Sequence, residues 1–168
     1  ISSENGTTAS TSSSLAINVD GVATAPNLSV STAVGLENAS IALNINASLN
    51  DTDGSESLSV LVSNVPAGAT LSAGIDKGNG IWSLTPSELS GLQITPPLNY
   101  VGTINLSVTA ISSENGTLAQ VNSTLPVTID GIAMTPTLTL PPITGNEDTA
   151  IALNIGLTPN AFANAGEV

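Results

Sequence analysis

The segment Asp51-Thr52-Asp53-Gly54-Ser55-Glu56 brings three carboxylates onto one glycine turn. Alternate acidic side chains on such a turn direct hard oxygen ligands toward one centre, and converging carboxylates repel one another unless a cation lies between them. The spacing is similar to the start of an EF-hand loop, but no helices flank it, and Gly54 and Glu56 come too early. We therefore predict a calcium site at Asp51, Asp53 and Glu56. The alternative is a solvated polar turn.

The chain repeats itself at one constant offset. Ile1 matches Ile111 and the match continues without a gap for residues 1–45, so the period is 111 − 1 = 110 residues. That period has the length of a domain and exceeds the repeat length of solenoid proteins. We therefore predict three parts, which are the C-terminal strands of a preceding repeat (1–25), one complete repeat (26–135) and the N-terminal strands of a following repeat (136–168).

The composition favours strands. Hydrophobic residues make up 40% of the chain, with few aromatics, and β-branched side chains fit a pleated, half-buried surface. Short β-rich runs recur between turn residues, a spacing typical of an all-β sandwich. The predicted strands are 27–33, 40–48, 57–63, 69–73, 80–85, 92–95, 102–111 and 118–129.

Local signals predict two further features of the complete repeat. Asn115-Gly116 lies between two strong strand patterns, so we predict a tight hairpin there. Thr85, Pro86 and Glu88 have the spacing of a capping box with proline at the first helical position, so we predict one helical turn ending at Gly91.

The order of strands in a Greek-key sandwich predicts which linker each acidic residue faces. Glu37 is expected to face the outgoing linker at Asp130, whereas the loop that carries Asp51, Asp53 and Glu56 is expected to face the incoming linker at Asp20. An ion held at these ends would clamp successive repeats. The alternative is that Glu37 lies in an ordinary exposed turn.

Charge excludes several classes of partner. Thirteen acidic residues stand against the single basic residue Lys77, for a net charge of −12. Nucleic acid and anionic membrane surfaces need Lys and Arg to neutralise phosphate, so we predict neither as a partner. Divalent cations suit this charge, although it also serves solubility alone.

The residue inventory predicts that the chain is not an enzyme. It contains no His and no Cys, which rules out the usual triads and thiol nucleophiles. Trp82, Tyr100 and Phe162 are too few and too scattered to form a sugar-binding cleft. No apolar run reaches the ~18 residues of a membrane span, and any export signal is expected outside this stretch.

The complete repeat carries a series of motifs that resembles a known family. In chain order they are ENASIALNI, LNDTDGSESLSV, VPAGATLSAG, GNGIWSLTPSELSGLQITPP, YVGTINLSVTA and the linker TIDGIA with its following Thr-Pro. The series resembles the cadherin-like, immunoglobulin-like tandem repeats of giant bacterial RTX-type surface adhesins. The resemblance implies an immunoglobulin-like (cadherin-like) Greek-key β-sandwich in a tandem array, located outside the cell.

The resemblance also implies roles for individual residues. Asp51, Asp53 and Glu56 would bind calcium, and the residues at repeat junctions would be Glu37, Glu147, Asp20 and Asp130. The chain departs from the family pattern in two places. Thr24 and Met134 stand where the family commonly has a linker Asp. The segment after Ile155 also lacks the paired aspartates of the first loop.

Three functions remain open from the sequence. The first is a calcium-stabilised extender of a cell-surface or secreted adhesin, with neighbouring repeats of the same chain as partners. The second is a fibre subunit that polymerises by β-strand complementation with identical subunits. The third is a carbohydrate- or protein-binding β-sandwich, which would need an exposed aromatic or apolar patch that the sequence does not locate.

Overall fold

A computed structural model describes residues 1–133 and 135–158 of the chain. The described residues form an all-β structure in which the only helical segment is one 3₁₀ turn, Pro86–Leu89. The strands in chain order are β1 (Ser2–Glu4), β2 (Thr7–Ala9), β3 (Asn27–Ser31), β4 (Ala33–Leu36), β5 (Ile41–Ala42), β6 (Asn44–Ser48), β7 (Ser57–Ser63), β8 (Thr70–Leu71), β9 (Ile75–Gly78), β10 (Ile81–Leu84), β11 (Gln93–Thr95), β12 (Gly102–Glu114), β13 (Thr117–Asp130), β14 (Thr137–Thr139) and β15 (Gly156–Thr158).

The largest sheet has six strands in the order β4-β13-β12-β7-β10-β9. The long strands β12 and β13 pair antiparallel over their whole length, and β7 pairs antiparallel with the other side of β12. Only β4 runs parallel to its neighbour β13 in this sheet. The two long strands thus carry the chain from one end of the repeat to the other.

A second group of strands faces this sheet across the core. β5 pairs with β11, which pairs with β8, and β3 pairs with β6. Leu43, the single residue between β5 and β6, donates its amide to the Leu92 carbonyl at 2.9 Å, so the two short strands follow one path. This arrangement is consistent with a β-sandwich.

The core lies within the complete repeat, since its buried Ala, Val, Leu and Ile side chains fall between Ala33 and Ile129. Inward-facing positions alternate along β12, where Leu106, Val108 and Ala110 are fully buried. Trp82 packs against this core from its edge and is only partly buried. Burial of aliphatic side chains at roughly 25 cal/mol per Å² is the main term favouring the fold.

Most predicted strands are confirmed, and two differences have physical causes. The predicted strand at 27–33 is two strands, because the chain leaves β3 near Thr32 and crosses to pair with β13 as β4. β9 was missed, because its four residues, Ile75 to Gly78, are all exposed at the sheet edge and so lack the apolar alternation of a buried strand.

Both predicted local features are confirmed. Asn115 and Gly116 turn β12 into β13 with positive φ angles of 44° and 79°, the conformation of a type I′ hairpin. The turn Pro86–Leu89 has a capping box in which the Glu88 carboxylate accepts hydrogen bonds from the amide and the hydroxyl of Thr85 at 2.7 and 2.8 Å.

The strand pairs outside the core repeat copy those inside it. Thr137 pairs with Thr158 as Asn27 pairs with Ser48, each partner displaced by the sequence period. The β1–β2 hairpin turns at Asn5-Gly6 as β12–β13 turns at Asn115-Gly116. The residue pattern of the repeat is therefore matched by repeated strand register.

Candidate junction site

The incoming linker, residues 21–25, lies against one end of the complete repeat. Its Ala23 amide donates to the Thr117 hydroxyl at 2.7 Å, and the Asn50 side-chain amide donates to the Ala25 carbonyl at 2.7 Å. Thr117 follows the β12–β13 turn, and Asn50 lies in the loop between β6 and β7. Two loops of the repeat therefore hold the linker backbone.

Thr24 makes two backbone hydrogen bonds to side chains of the repeat. Its amide donates to Oε1 of Glu56, and its carbonyl accepts a hydrogen bond from the Ser112 hydroxyl at 2.5 Å. Ser112 is fully buried on β12, and its hydroxyl lies 3.4 Å from the Ala119 carbonyl, so the linker backbone provides the shorter of its two hydrogen bonds.

Glu56 lies beside a second buried carboxylate. Ser57 on β7 pairs with Ser113 on β12, so the same register continued by one residue places Glu56 opposite Glu114. Glu56 is 9% exposed and Glu114 is 7% exposed. Atom Oε2 of Glu56 is buried and accepts no hydrogen bond from the residues that the structure describes.

The linker passes directly over Glu114. A Cβ atom placed on Gly21 would overlap the carboxylate of Glu114, so only glycine leaves room for that group in its present position. The Glu114 carboxylate is thereby enclosed between its own strand end and the linker backbone.

Glu37 holds the outgoing linker at the opposite end of the repeat. It is 1% exposed, its amide donates to the Asp130 carbonyl at 2.9 Å, and its Oε1 accepts a hydrogen bond from the Ile132 amide at 2.8 Å. Glu37 follows β4, whose parallel pairing with β13 brings it beside the start of the linker. The expectation that Glu37 faces the outgoing linker is confirmed, and the exposed-turn alternative for Glu37 is wrong.

Glu56 contacts the incoming linker, as expected. Asp51 and Asp53 instead accept hydrogen bonds from their own loop. Asp51 Oδ1 accepts from the Asp53 amide at 3.1 Å, and Asp53 Oδ1 accepts from the Ser55 amide at 2.8 Å. The hydroxyl and amide of Ser55 lower the pKa of Asp53 below its ordinary value of 3.8. These bonds organise the loop as a polar turn.

The other predicted junction residues are exposed. Asp20 accepts a hydrogen bond from the side-chain amide of Asn18 at 3.0 Å, and both Asp130 and Glu147 are accessible to solvent. Met134, which occupies the second linker position where the family has Asp, lies outside the described residues. So does most of the segment after Ile155 that lacks the paired aspartates.

Sequence reasoning missed Ser112, Glu114 and Thr117, which contact or enclose the linker. A signal was present, because the inward alternation of β12 through Leu106, Val108 and Ala110 continues onto Ser112 and Glu114. Polar residues at positions predicted to face a core indicate either burial against another segment or a site.

The carboxylates do not form a large cluster. Among residues 1–133 and 135–158, no group of three or more acidic, His or Cys side chains is arranged to hold a metal ion. Calcium binding by Asp51, Asp53 and Glu56 together therefore stays a prediction. The described part of the chain also contains no helix long and apolar enough to span a bilayer.

Comparison with known proteins gives no identification, since no family model, curated protein or solved structure matches this chain.

Proposed function

We propose that the chain is part of a tandem array in which each repeat acts as a spacer, within an extracellular bacterial adhesin of the cell surface or secreted space. One observation carries the proposal. A single repeat holds its incoming linker through Glu56 and its outgoing linker through Glu37, at opposite ends of the fold. Fixing both linkers fixes the direction in which neighbouring repeats leave.

The strand order supports an immunoglobulin-like, cadherin-like Greek-key fold. β4 adds parallel to β13 at one edge of the larger sheet, while β3, the strand before it, belongs to the opposite group of strands. The first strand is thus divided between the two sheets and carries the chain across the sandwich close to the outgoing linker. This suits a repeat whose two linkers leave at opposite ends.

Calcium has a defined place in this proposal. The Thr24 amide already donates to one oxygen of Glu56, so a cation at this end would add to this hydrogen bond and would not replace it. Asp51 and Asp53 each accept loop hydrogen bonds at Oδ1, so they would join as ligands through Oδ2 or by giving up those bonds. The partners are neighbouring repeats, and neither catalysis nor nucleic-acid binding is part of the function.

Small-angle scattering on a protein of four consecutive repeats tests the spacer role. We expect a rod whose length grows in proportion to repeat number, with a modest further extension in calcium relative to chelator. Thr24→Asp adds a hard oxygen ligand at the linker and is expected to enlarge the calcium-dependent difference. A flexible, coiled array in both conditions contradicts the spacer role.

The same samples separate the spacer from the fibre subunit. A particle mass that is independent of protein concentration is expected for the spacer. Mass that increases steadily with concentration, measured by sedimentation, would favour strand complementation between chains.

A further inference from the structure

Glu56 and Glu114 form a pair of like charges at the end of the sheet. The last β7–β12 pair is Ser57–Ser113, and the same register continued by one residue brings Glu56 opposite Glu114, a position at which Cβ atoms in a regular sheet lie roughly 4.5–5.5 Å apart. Both are more than nine-tenths buried. Like charges directly opposite on neighbouring strands destabilise a sheet, and burial strengthens their repulsion.

The protein itself supplies no cation to this pair. Lys77 is the only basic side chain in the sequence, and it lies exposed on β9, the far edge strand of the six-stranded sheet. Ser112 and Thr117 beside the pair are neutral, and the Ser112 hydroxyl donates to the linker carbonyl of Thr24. The repulsion therefore has to be relieved by something from solution.

Glu56 offers a free ligand atom in this enclosure. Its Oε1 accepts from the Thr24 amide, whereas its buried Oε2 has no hydrogen-bond partner within the described residues. A buried carboxylate oxygen without a donor is costly unless a cation occupies its lone pairs. The aspartates of the adjacent loop differ, because Asp51 is only partly buried and Asp53 is exposed, so water can solvate their remaining carboxylate oxygens.

We propose that Glu56 and Glu114 together bind one divalent cation beneath the linker, where the absence of a side chain at Gly21 leaves room for the Glu114 carboxylate. The all-oxygen donors and the incomplete coordination from protein, to be filled by water, suit calcium. The inference rests on the calcium-stabilised spacer proposed above. In it, Glu114 takes the place of Asp51 and Asp53 as the principal ligand beside Glu56. Because Glu56 holds both Thr24 and the ion, cation binding is coupled to docking of the linker.

The test is a calcium titration of residues 1–168, followed by calorimetry and thermal unfolding, on wild type, Glu114→Gln, Asp53→Asn and the control Glu88→Gln. In chelator, Glu114→Gln is expected to be at least as stable as wild type, because it removes the repulsion. In calcium, wild type is expected to gain stability, and Glu114→Gln is expected to bind on the order of tenfold more weakly or not at all. Asp53→Asn and Glu88→Gln are expected to respond like wild type.

The outcomes discriminate among explanations. If Asp53→Asn loses the calcium response and Glu114→Gln keeps it, the loop is the site and the Glu56–Glu114 pair is not. If wild type does not respond to calcium, the Glu56–Glu114 pair does not bind the cation and the proposal is overturned. Neither result decides whether the four-repeat protein is a rod in small-angle scattering. The spacer role is therefore tested independently of the Glu56–Glu114 cation site. Glu114→Asp, which keeps the charge on a shorter side chain, provides a folded variant of intermediate affinity should Glu114→Gln be unstable.

Discussion

The carboxylate of Glu37 accepts a hydrogen bond from the amide of Ile132, 95 residues further along the chain, at 2.8 Å. Glu56 does the same for the amide of Thr24 at the other end of the repeat. Both carboxylates are buried, and both partners are linker backbone atoms. The repeat thus binds both linkers through a hydrogen bond from a linker amide to a buried carboxylate. Every residue other than proline provides such an amide.

The first prediction concerns the hydrogen bond between Glu37 and the outgoing linker. Glu37→Ala removes the acceptor of the Ile132 amide and a side chain that is 1% exposed, so we expect a loss of about 1–3 kcal/mol in the free energy of unfolding, measured with urea. Glu147 is its counterpart one period later and is exposed, so Glu147→Ala is the matched control and is expected to change little. Equal effects of the two substitutions would contradict a structural role for the Glu37 contact.

The second prediction tests the core. Leu106 is 0% exposed, so Leu106→Ala is expected to cost about 2–5 kcal/mol of stability through lost burial and the cavity left behind. Leu118 lies on the adjacent strand β13 but is 70% exposed, so Leu118→Ala is expected to stay within about 0.5 kcal/mol of wild type. Chemical denaturation of both variants measures the difference. Similar losses would show that the inward alternation of this sheet is wrong.

The third prediction compares the two copies of one turn. Gly116 has a φ of 79° between the longest strands, so Gly116→Ala is expected to cost about 1–2 kcal/mol of stability. Gly6 has a φ of 81° in the exposed β1–β2 hairpin, which is outside the core. Gly6→Ala is therefore expected to leave the main unfolding transition unchanged by calorimetry. A larger effect at Gly6 than at Gly116 would contradict the assignment of the core to the complete repeat.

The fourth prediction concerns pH. The amide and hydroxyl of Thr85 lower the pKa of Glu88 below its ordinary value of 4.5. Since the folded pKa is depressed, the stabilisation is present above about pH 4.5 and is lost as the pH falls through the folded value. We expect the stability advantage of wild type over Glu88→Gln to shrink in that acid range, measured by denaturation at successive pH values. Glu147→Gln, remote from the 3₁₀ turn, serves as control. An advantage that is constant with pH would contradict the ionic capping box.

The fifth prediction uses the close approach of the linker. Gly21→Ala is expected to push the Glu114 carboxylate aside and weaken calcium binding, while the fold persists because the obstructed atoms end a flexible side chain. Val22→Ala, at the exposed neighbouring position, is expected to bind calcium like wild type. Calorimetric titration of both variants measures this. Unchanged affinity in Gly21→Ala would separate the linker from the cation site.

The sequence by itself determined the repeat, the all-β class, the Asn115-Gly116 hairpin and the capping box at Thr85. Each is a local property, because turn conformations and side-chain alternation are set by neighbours along the chain. It also placed Glu37 and Glu56 at opposite linkers, since strand direction fixes which loops share an end of a sandwich.

Only the tertiary structure decided what those loops do. The Asp51 loop has the pattern of a ligand set in sequence, but one oxygen each of Asp51 and Asp53 bonds the loop's own backbone. Glu114 carries no signal of its own in the sequence, and the β7–β12 register, continued by one residue, brings it beside Glu56. Glu56 and Glu114 are 114 − 56 = 58 positions apart in the sequence. The register that brings them together depends on how the core-facing side chains of the whole sheet pack. A linear pattern cannot fix it, because a slip of a single residue would present the opposite face of each strand.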